Sequence, residues 1–136
     1  MITGIAHTNL LVPDGTLDNA HEFYAGTLGL TAIPVPQLQK NTTAWFNITP
    51  DGSQQIHIAF GTNERGSPRH PCLRVSSLEA LQALRQRIWD HHVRGGAAAP
   101  LEADKPGEEI SGETTAEYPT RFFARDYAGN RIEFSL

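Results

Sequence analysis

Two stretches of this 136-residue chain resemble two others, and that internal repeat constrains the fold more than any other feature. His7-Thr8-Asn9-Leu10-Leu11-Val12 lines up with His70-Pro71-Cys72-Leu73-Arg74-Val75, and an amphipathic helical pattern follows each within a few residues. Gln55-Ile56-His57-Ile58-Ala59-Phe60 lines up with Arg131-Ile132-Glu133-Phe134-Ser135-Leu136. His57 follows His7 by 50 residues and Glu133 follows His70 by 63, the difference falling in a stretch with little periodicity. The pattern predicts one α+β domain over residues 1–136, built from two βαβββ modules at about 1–62 and about 68–136.

The first module reads as a strand from Met1 to Val12, closed by the turn Pro13-Asp14-Gly15. A helix follows over Leu17 to Leu28, where Leu17, Ala20, Phe23, Tyr24 and Leu28 form one apolar stripe and Gly29 ends it. Leu30 to Val35 reads as an edge strand, because Pro34 and Pro36 cannot donate to a ladder. Thr42 to Thr49 and Gln54 to Phe60 form an antiparallel pair around Pro50-Asp51-Gly52. In the second module Pro71 to Val75 is a strand, and Ser76 with Glu79 forms a capping box for a helix from Leu78 to His92. That helix carries the stripe Leu78, Leu81, Leu84 and Ile88, and Gly95-Gly96 closes it. Leu101 to Glu117 reads as a mobile acidic loop, with a short strand near Ala97 to Leu101. Arg121 to Arg125 and Arg131 to Leu136 make the last hairpin.

Composition removes whole classes of function. A net charge of −4 with scattered Lys and Arg argues against nucleic acid as a partner. No apolar run reaches the ~18 residues of a membrane span, and no basic-then-apolar leader is present, so a cytoplasmic protein away from membranes is expected. The single cysteine, Cys72, excludes an internal disulfide and suits a reducing compartment.

Strand alternation then decides which side chains share a face. Ile56, Ile58 and Phe60 need cover from a helix, so His57 looks the other way with Gln55. Ile132, Phe134 and Leu136 leave Glu133 on the opposite side with Arg131 and Ser135. His7, Asn9 and Leu11 share one face of the first strand; His70, Cys72 and Arg74 share one face of its counterpart. Each module therefore offers two metal-ligating groups on a polar face: His7 with His57, and His70 with Glu133.

Three segments carry a family likeness. Gly4-Ile5-Ala6-His7, the helix end His21-Glu22-Phe23-Tyr24 through Leu28-Gly29-Leu30, and the tail from Phe122 through Gly129-Asn130-Arg131-Ile132-Glu133-Phe134 resemble the vicinal oxygen chelate superfamily. That group includes the glyoxalase, bleomycin-resistance and extradiol dioxygenase proteins. The resemblance implies an incomplete, U-shaped eight-stranded barrel with helices outside, and a homodimer. It also implies one divalent metal per site, held by His7, His70 and Glu133 with His57 as a fourth ligand. Two imidazoles and a carboxylate suit Fe, Mn, Zn, Ni or Co and do not choose among them.

The resemblance implies a metal-dependent enzyme acting on a small oxygen-chelating substrate, with isomerase or lyase chemistry ahead of ring cleavage because the chain is short. Its alternative is a metal-free protein that sequesters a ligand or drug, as bleomycin-resistance proteins do. His57 is either a ligand or the catalytic base; glyoxalase I proteins carry a carboxylate at its position. Asn9, Gln55, Arg74 and Arg131 are the expected substrate-binding residues. The arginine that glyoxalase I proteins use for glutathione is replaced by Leu11, and the basic loop of fosfomycin-modifying relatives is acidic here. Tyr118 and Tyr127 are weak matches to the extra catalytic residues of dioxygenases.

Bland roles fit the other candidates better. His91 and His92 suit the negative end of a helix, His21 a solvated face, and Cys72 plain packing. Trp45 and Phe123 are expected as core residues before substrate walls, and the acidic loop as a solvated segment or a lid.

Overall fold

The structure is a computed structural model describing residues 1–116 and 120–136. It divides into two compact units, residues 1–63 and 64–136, each of them an α+β unit with one four-stranded sheet.

In the first unit β1 (His7–Val12) leads to α1 (Leu17–Ala20), which runs on as a π-helical segment, His21–Thr27. Strands β2 (Thr31–Ile33), β3 (Thr43–Asn47) and β4 (Gln55–Phe60) follow. The sheet order is β1-β4-β3-β2, with β1 and β4 parallel and the other pairs antiparallel. A parallel pair needs a crossover, and the helix and the β2–β3 hairpin together supply it. Alternation sends Leu10, Val12, Ala44, Phe46, Ile56 and Ile58 to one side, where they are buried with Ala20, Phe23, Tyr24 and Leu28. Tyr24 packs on Phe46 with ring centres 5.6 Å apart. Each buried Leu, Ile, Val or Phe of this set contributes about 1.5–3 kcal/mol through burial.

The second unit repeats the plan. Its elements are β5 (Cys72–Arg74), α2 (Leu78–Arg94), β6 (Glu102–Ala103), β7 (Arg121–Arg125) and β8 (Arg131–Ser135). The order is β5-β8-β7-β6, with β5 and β8 parallel. Leu81, Ile88 and His91 form the buried stripe of α2, and Phe122, Ala124, Ile132 and Phe134 form the buried face of the sheet. Among the described residues no helix is long and apolar enough to cross a membrane.

Several expectations need correction. The first strand starts at His7, with Ala6 accepting only the Gln55 N–H and residues 1–5 outside the ladder, and β2 stops at Ile33 because Pro34 has no N–H to continue it. β5 is likewise shorter than Pro71 to Val75. Ser77, and not Ser76, caps α2: its hydroxyl accepts the Ala80 N–H at 3.1 Å. Leu78 is 47% exposed and His91 only 1%, so the buried stripe runs through Leu81, Ile88 and His91 and leaves Leu78 outside. The short strand expected at Ala97 to Leu101 lies at Glu102–Ala103.

The acidic loop is pinned over its first half, in contrast to the mobile segment expected. Buried Asp104 accepts the Ser111 N–H at 3.0 Å and the Phe123 N–H at 2.8 Å. Arg85 of α2 donates to the carbonyls of Asp104, Lys105 and Glu108 at 3.1, 2.6 and 2.8 Å. Glu117 and Tyr118 lie outside the described residues.

Candidate metal centre

The polar face of the first sheet carries His7, Asn9, Trp45, Gln55 and His57. Register sets His57 between Asn9 of β1 and Trp45 of β3, with His7 opposite Gln55. The three rings form a parallel stack: His57 lies 4.1 Å from Trp45 at 2° on one side and 4.1 Å from His7 at 9° on the other. Trp45 is therefore a wall of the polar face and does not join the buried residues, which on β3 are Ala44 and Phe46.

Hydrogen bonds fix the His57 tautomer. Gln55 Nε2 donates to Asn47 Oδ1 at 3.0 Å, which turns Gln55 Oε1 toward His57 Nε2 at 2.8 Å. An amide oxygen only accepts, so Nε2 carries the hydrogen and Nδ1 keeps a lone pair. Burial first, and the positive charge His7 acquires second, hold the His57 pKa below its usual value, so the ring is neutral at pH 7. Gln55 thus spends its amide on Asn47 and His57. Asn9 stands exposed beside them.

The second sheet presents His70, Cys72, Arg121, Phe123, Arg131 and Glu133. His70 Nδ1 lies 2.7 Å from the Pro68 carbonyl, and Nε2 lies 3.0 Å from Glu133 Oε2. The second oxygen, Oε1, accepts from Arg121 Nη1 at 3.2 Å. Arg121 also donates to the Glu113 carbonyl. The His70 ring meets Phe123 edge-on at 5.5 Å, and Cys72 Sγ sits 3.4 Å from Ser135 Oγ. Arg74 is exposed on the same strand as Cys72.

The donor chemistry of the His70–Glu133 pair fits a divalent ion. The Pro68 carbonyl takes the Nδ1 hydrogen, the outer hydrogen bond that orients a ligating imidazole and leaves Nε2 basic. Two donor atoms each about 2.1 Å from one ion and about 90° apart would sit about 3.0 Å from each other, which matches the Nε2–Oε2 distance. Of the four ligands expected, His7 is brought to His57 and His70 to Glu133. Within either unit no third His, Cys, Asp or Glu among the described residues joins its pair to make an ion-holding group.

Sequence reasoning passed over three contributors: Arg121, Asp104 and the Pro68 carbonyl. Alternation along β7 carries the signal for Arg121, since Arg121, Phe123 and Arg125 face Ser135, Glu133 and Arg131 in register. Of the remaining candidates, His21 meets Phe46 at 5.2 Å, and His92 Nδ1 contacts the Pro100 carbonyl at 2.8 Å.

No family model matches the sequence, and no curated protein does. Solved structures do. A Bacillus anthracis protein assigned to the glyoxalase family is similar with a TM-score of 0.72 and 27% identity, over 98% of this chain and 94% of that one. The chain has the fold of the vicinal oxygen chelate superfamily and resembles its glyoxalase-family members. The FosX fosfomycin resistance protein of Listeria monocytogenes shares this superfamily's fold with it: TM-score 0.70, 17% identity, covering 99% of this chain and 91% of that one. The same FosX protein crystallised with Mn(II) and sulfate matches at TM-score 0.67 and 18% identity, over 99% and 90% of the two chains. Two βαβββ units, each with its parallel outer pair, are the vicinal oxygen chelate plan.

Proposed function

We propose that the chain is a divalent-metal-dependent vicinal oxygen chelate enzyme acting on a small substrate through neighbouring oxygens, by isomerase or lyase chemistry in preference to ring cleavage. The observation that carries this reading is the His70–Glu133 pair, 3.0 Å apart with the far nitrogen of the imidazole tied to a carbonyl. The Mn(II) held by FosX adds support. His7, His70 and Glu133 would hold the ion, the set that the resemblance implies. Bound there, the ion would supply Lewis-acid stabilisation of negative charge on a substrate oxygen. A cytoplasmic homodimer completes the reading.

The protein's own groups would do the rest. His57, neutral and with a lone pair at Nδ1, is the proton acceptor, and Gln55 holds its ring in that tautomer. If Nε2 is released from Gln55 the ring can instead turn to become a fourth ligand. Arg121 holds one oxygen of Glu133 and leaves the other to offer. Asn9, Arg74 and Arg131 would orient the substrate beside the Trp45–His57–His7 stack, and Gln55 would act on it only through His57.

That same stack favours a second reading. A column of three parallel rings offers a planar ligand the outer face of an end ring, Trp45 or His7, and a sequestering protein of bleomycin-resistance type needs such a stacking face and no metal. Metal analysis of the purified protein separates the two. The enzyme reading expects about one bound ion per chain, lost in His7→Ala and in Glu133→Ala while the fold persists. A folded wild-type protein that neither retains nor takes up Mn(II), Zn(II), Fe(II), Ni(II) or Co(II) would reject it in favour of the binder.

A further inference from the structure

We propose that the cavity under Arg131 is an oxyanion subsite, which takes a carboxylate or phosphonate group of a small organic acid. Calling that acid the substrate rests on the proposed function above; anion binding itself does not.

The cavity, of about 390 Å³, opens on the second sheet and is lined by Glu102, Asp104, Ser111, Phe123, Arg125 and Arg131, among others. Its charges balance one by one, except at a single residue. Arg125 donates Nε to Glu102 Oε2 at 3.0 Å and Nη1 to the carbonyls of Ser67 and Gly129, each at 3.0 Å. Asp104 has both oxygens taken by backbone N–H groups, from Ser111 and Phe123. Beside the cavity Glu133 is held by Arg121 and His70. Among the described residues Arg131 alone has no carboxylate partner. Its guanidinium lies 4.3 Å from the centre of the Phe123 ring, and its buried Nε meets no acceptor among the described residues.

A guanidinium stacked on an aromatic face is fixed in plane yet keeps its in-plane N–H groups for a ligand, and their fork matches a carboxylate or phosphonate. Unmet buried donors are rare in folded proteins and call for a partner. Phe123 gives the ligand an apolar flank. Placement ties the subsite to the candidate metal centre: Arg131 precedes Glu133 by two residues on β8, so their side chains share a face about 7 Å apart along the strand. An acid anchored on Arg131 would extend its remaining atoms along β8 toward Glu133. A neutral chelating molecule would leave Arg131 without an acceptor.

The test uses the whole chain, stripped of metal with chelator, and reads the Arg131 Nε–H signal by proton–nitrogen NMR during titration with methylphosphonate. Neutral tert-butanol serves as the size-matched control. A saturable shift with methylphosphonate and none with tert-butanol is expected. Arg131→Gln should weaken binding at least about tenfold, followed through the amide of Phe123, while Arg131→Lys falls between and exposed Arg94→Gln matches wild type. No saturable shift, equal shifts with tert-butanol, or undiminished binding by folded Arg131→Gln would each overturn the subsite. If Arg131→Gln does not fold, the wild-type comparison of the two probes decides alone. Because metal is absent throughout, failure of the metal reading leaves this result standing. Mn(II) uptake by Arg131→Gln, measured separately, should equal that of wild type.

Discussion

His70 Nε2 and Glu133 Oε2 face each other at 3.0 Å across 63 residues of sequence, and the geometry demands something positive between them. The Pro68 carbonyl, 2.7 Å from Nδ1, can only accept, so the hydrogen of a neutral ring resides at Nδ1. That leaves a lone pair on Nε2 pointing at a carboxylate that is itself an acceptor. Two acceptors repel at this distance unless a proton or a metal ion joins them. The register explains how such distant residues come to meet: β5 lies parallel to β8, with Cys72 opposite Glu133, and His70 stands two residues earlier on the same face.

Arg121 should therefore tune metal affinity without being a ligand. Its Nη1 holds Glu133 Oε1 at 3.2 Å, so Oε2 alone is offered toward His70. Arg121→Ala frees the carboxylate to rotate, and removal of such an outer contact lowers metal affinity about 10–100-fold. Arg121→Lys keeps the charge but loses the fork and should recover part of the loss. Competition against a chelator of known affinity measures it. Wild-type affinity in a folded Arg121→Ala protein would remove Arg121 from the centre.

His57 sets a pH dependence whose sign follows from its environment. Burial and the charge of His7 push its folded-state pKa below the value of about 6.5 expected in the unfolded chain. Between those two values the unfolded chain holds a proton that the folded chain lacks. Stability is then fully present above about pH 6.5 and declines as pH falls through the window. In chelator-treated protein, urea midpoints between about pH 7.5 and 5 should drop more for wild type than for His57→Gln. Equal slopes for the two proteins would show that His57 does not titrate in the way its surroundings imply.

The start of α2 offers a prediction at single-residue resolution. Ser77 is extended, with φ −159° and ψ 162°, and its hydroxyl accepts the Ala80 N–H, while Ser76 makes no such bond. Ser77→Ala should cost about 1 kcal/mol. Ser76→Ala, on an exposed residue, should stay within about 0.5 kcal/mol. Chemical denaturation of the two variants side by side settles the order, and a larger loss in Ser76→Ala would reverse it.

Ser77 also marks where sequence reading reaches its limit. Ser76 with Glu79 satisfies the capping-box spacing, and only the turn out of β5 selects the neighbouring serine. Alternation was enough to orient His57 and Glu133, because Ile56, Ile58, Ile132 and Phe134 leave the other face no alternative. It could not reveal Asp104, one acid among several in an acidic stretch. Its role depends on meeting the Phe123 N–H, which lies 19 residues away. Nor does the apolar stripe of the first helix foretell a π-helical turn. Leu17, Ala20, Phe23, Tyr24 and Leu28 suit either winding, and the bond from Leu28 N to Phe23 O at 2.9 Å is what widens it.

Gly112 should be the most sensitive glycine of the second unit, for steric reasons. A Cβ placed there would stand 2.3 Å from Phe123 Cε2 and 2.8 Å from Cζ, far inside contact distance. The ring cannot retreat freely, because Arg131 occupies a position 4.3 Å from its centre and His70 meets it at 5.5 Å. The pinned loop cannot lift easily either, since Asp104 ties Ser111, one residue away, to the start of the loop and to β7. Gly112→Ala is expected to cost about 1–3 kcal/mol through overpacking. Gly26→Ala is the matched control: nothing lies within 4 Å of its added Cβ, and it sits in a helical segment. There alanine should be neutral or stabilising by up to about 1 kcal/mol. Denaturant midpoints of the two variants give the contrast, and a Gly112→Ala protein as stable as wild type would mean that Phe123 is not held as tightly as its neighbours require.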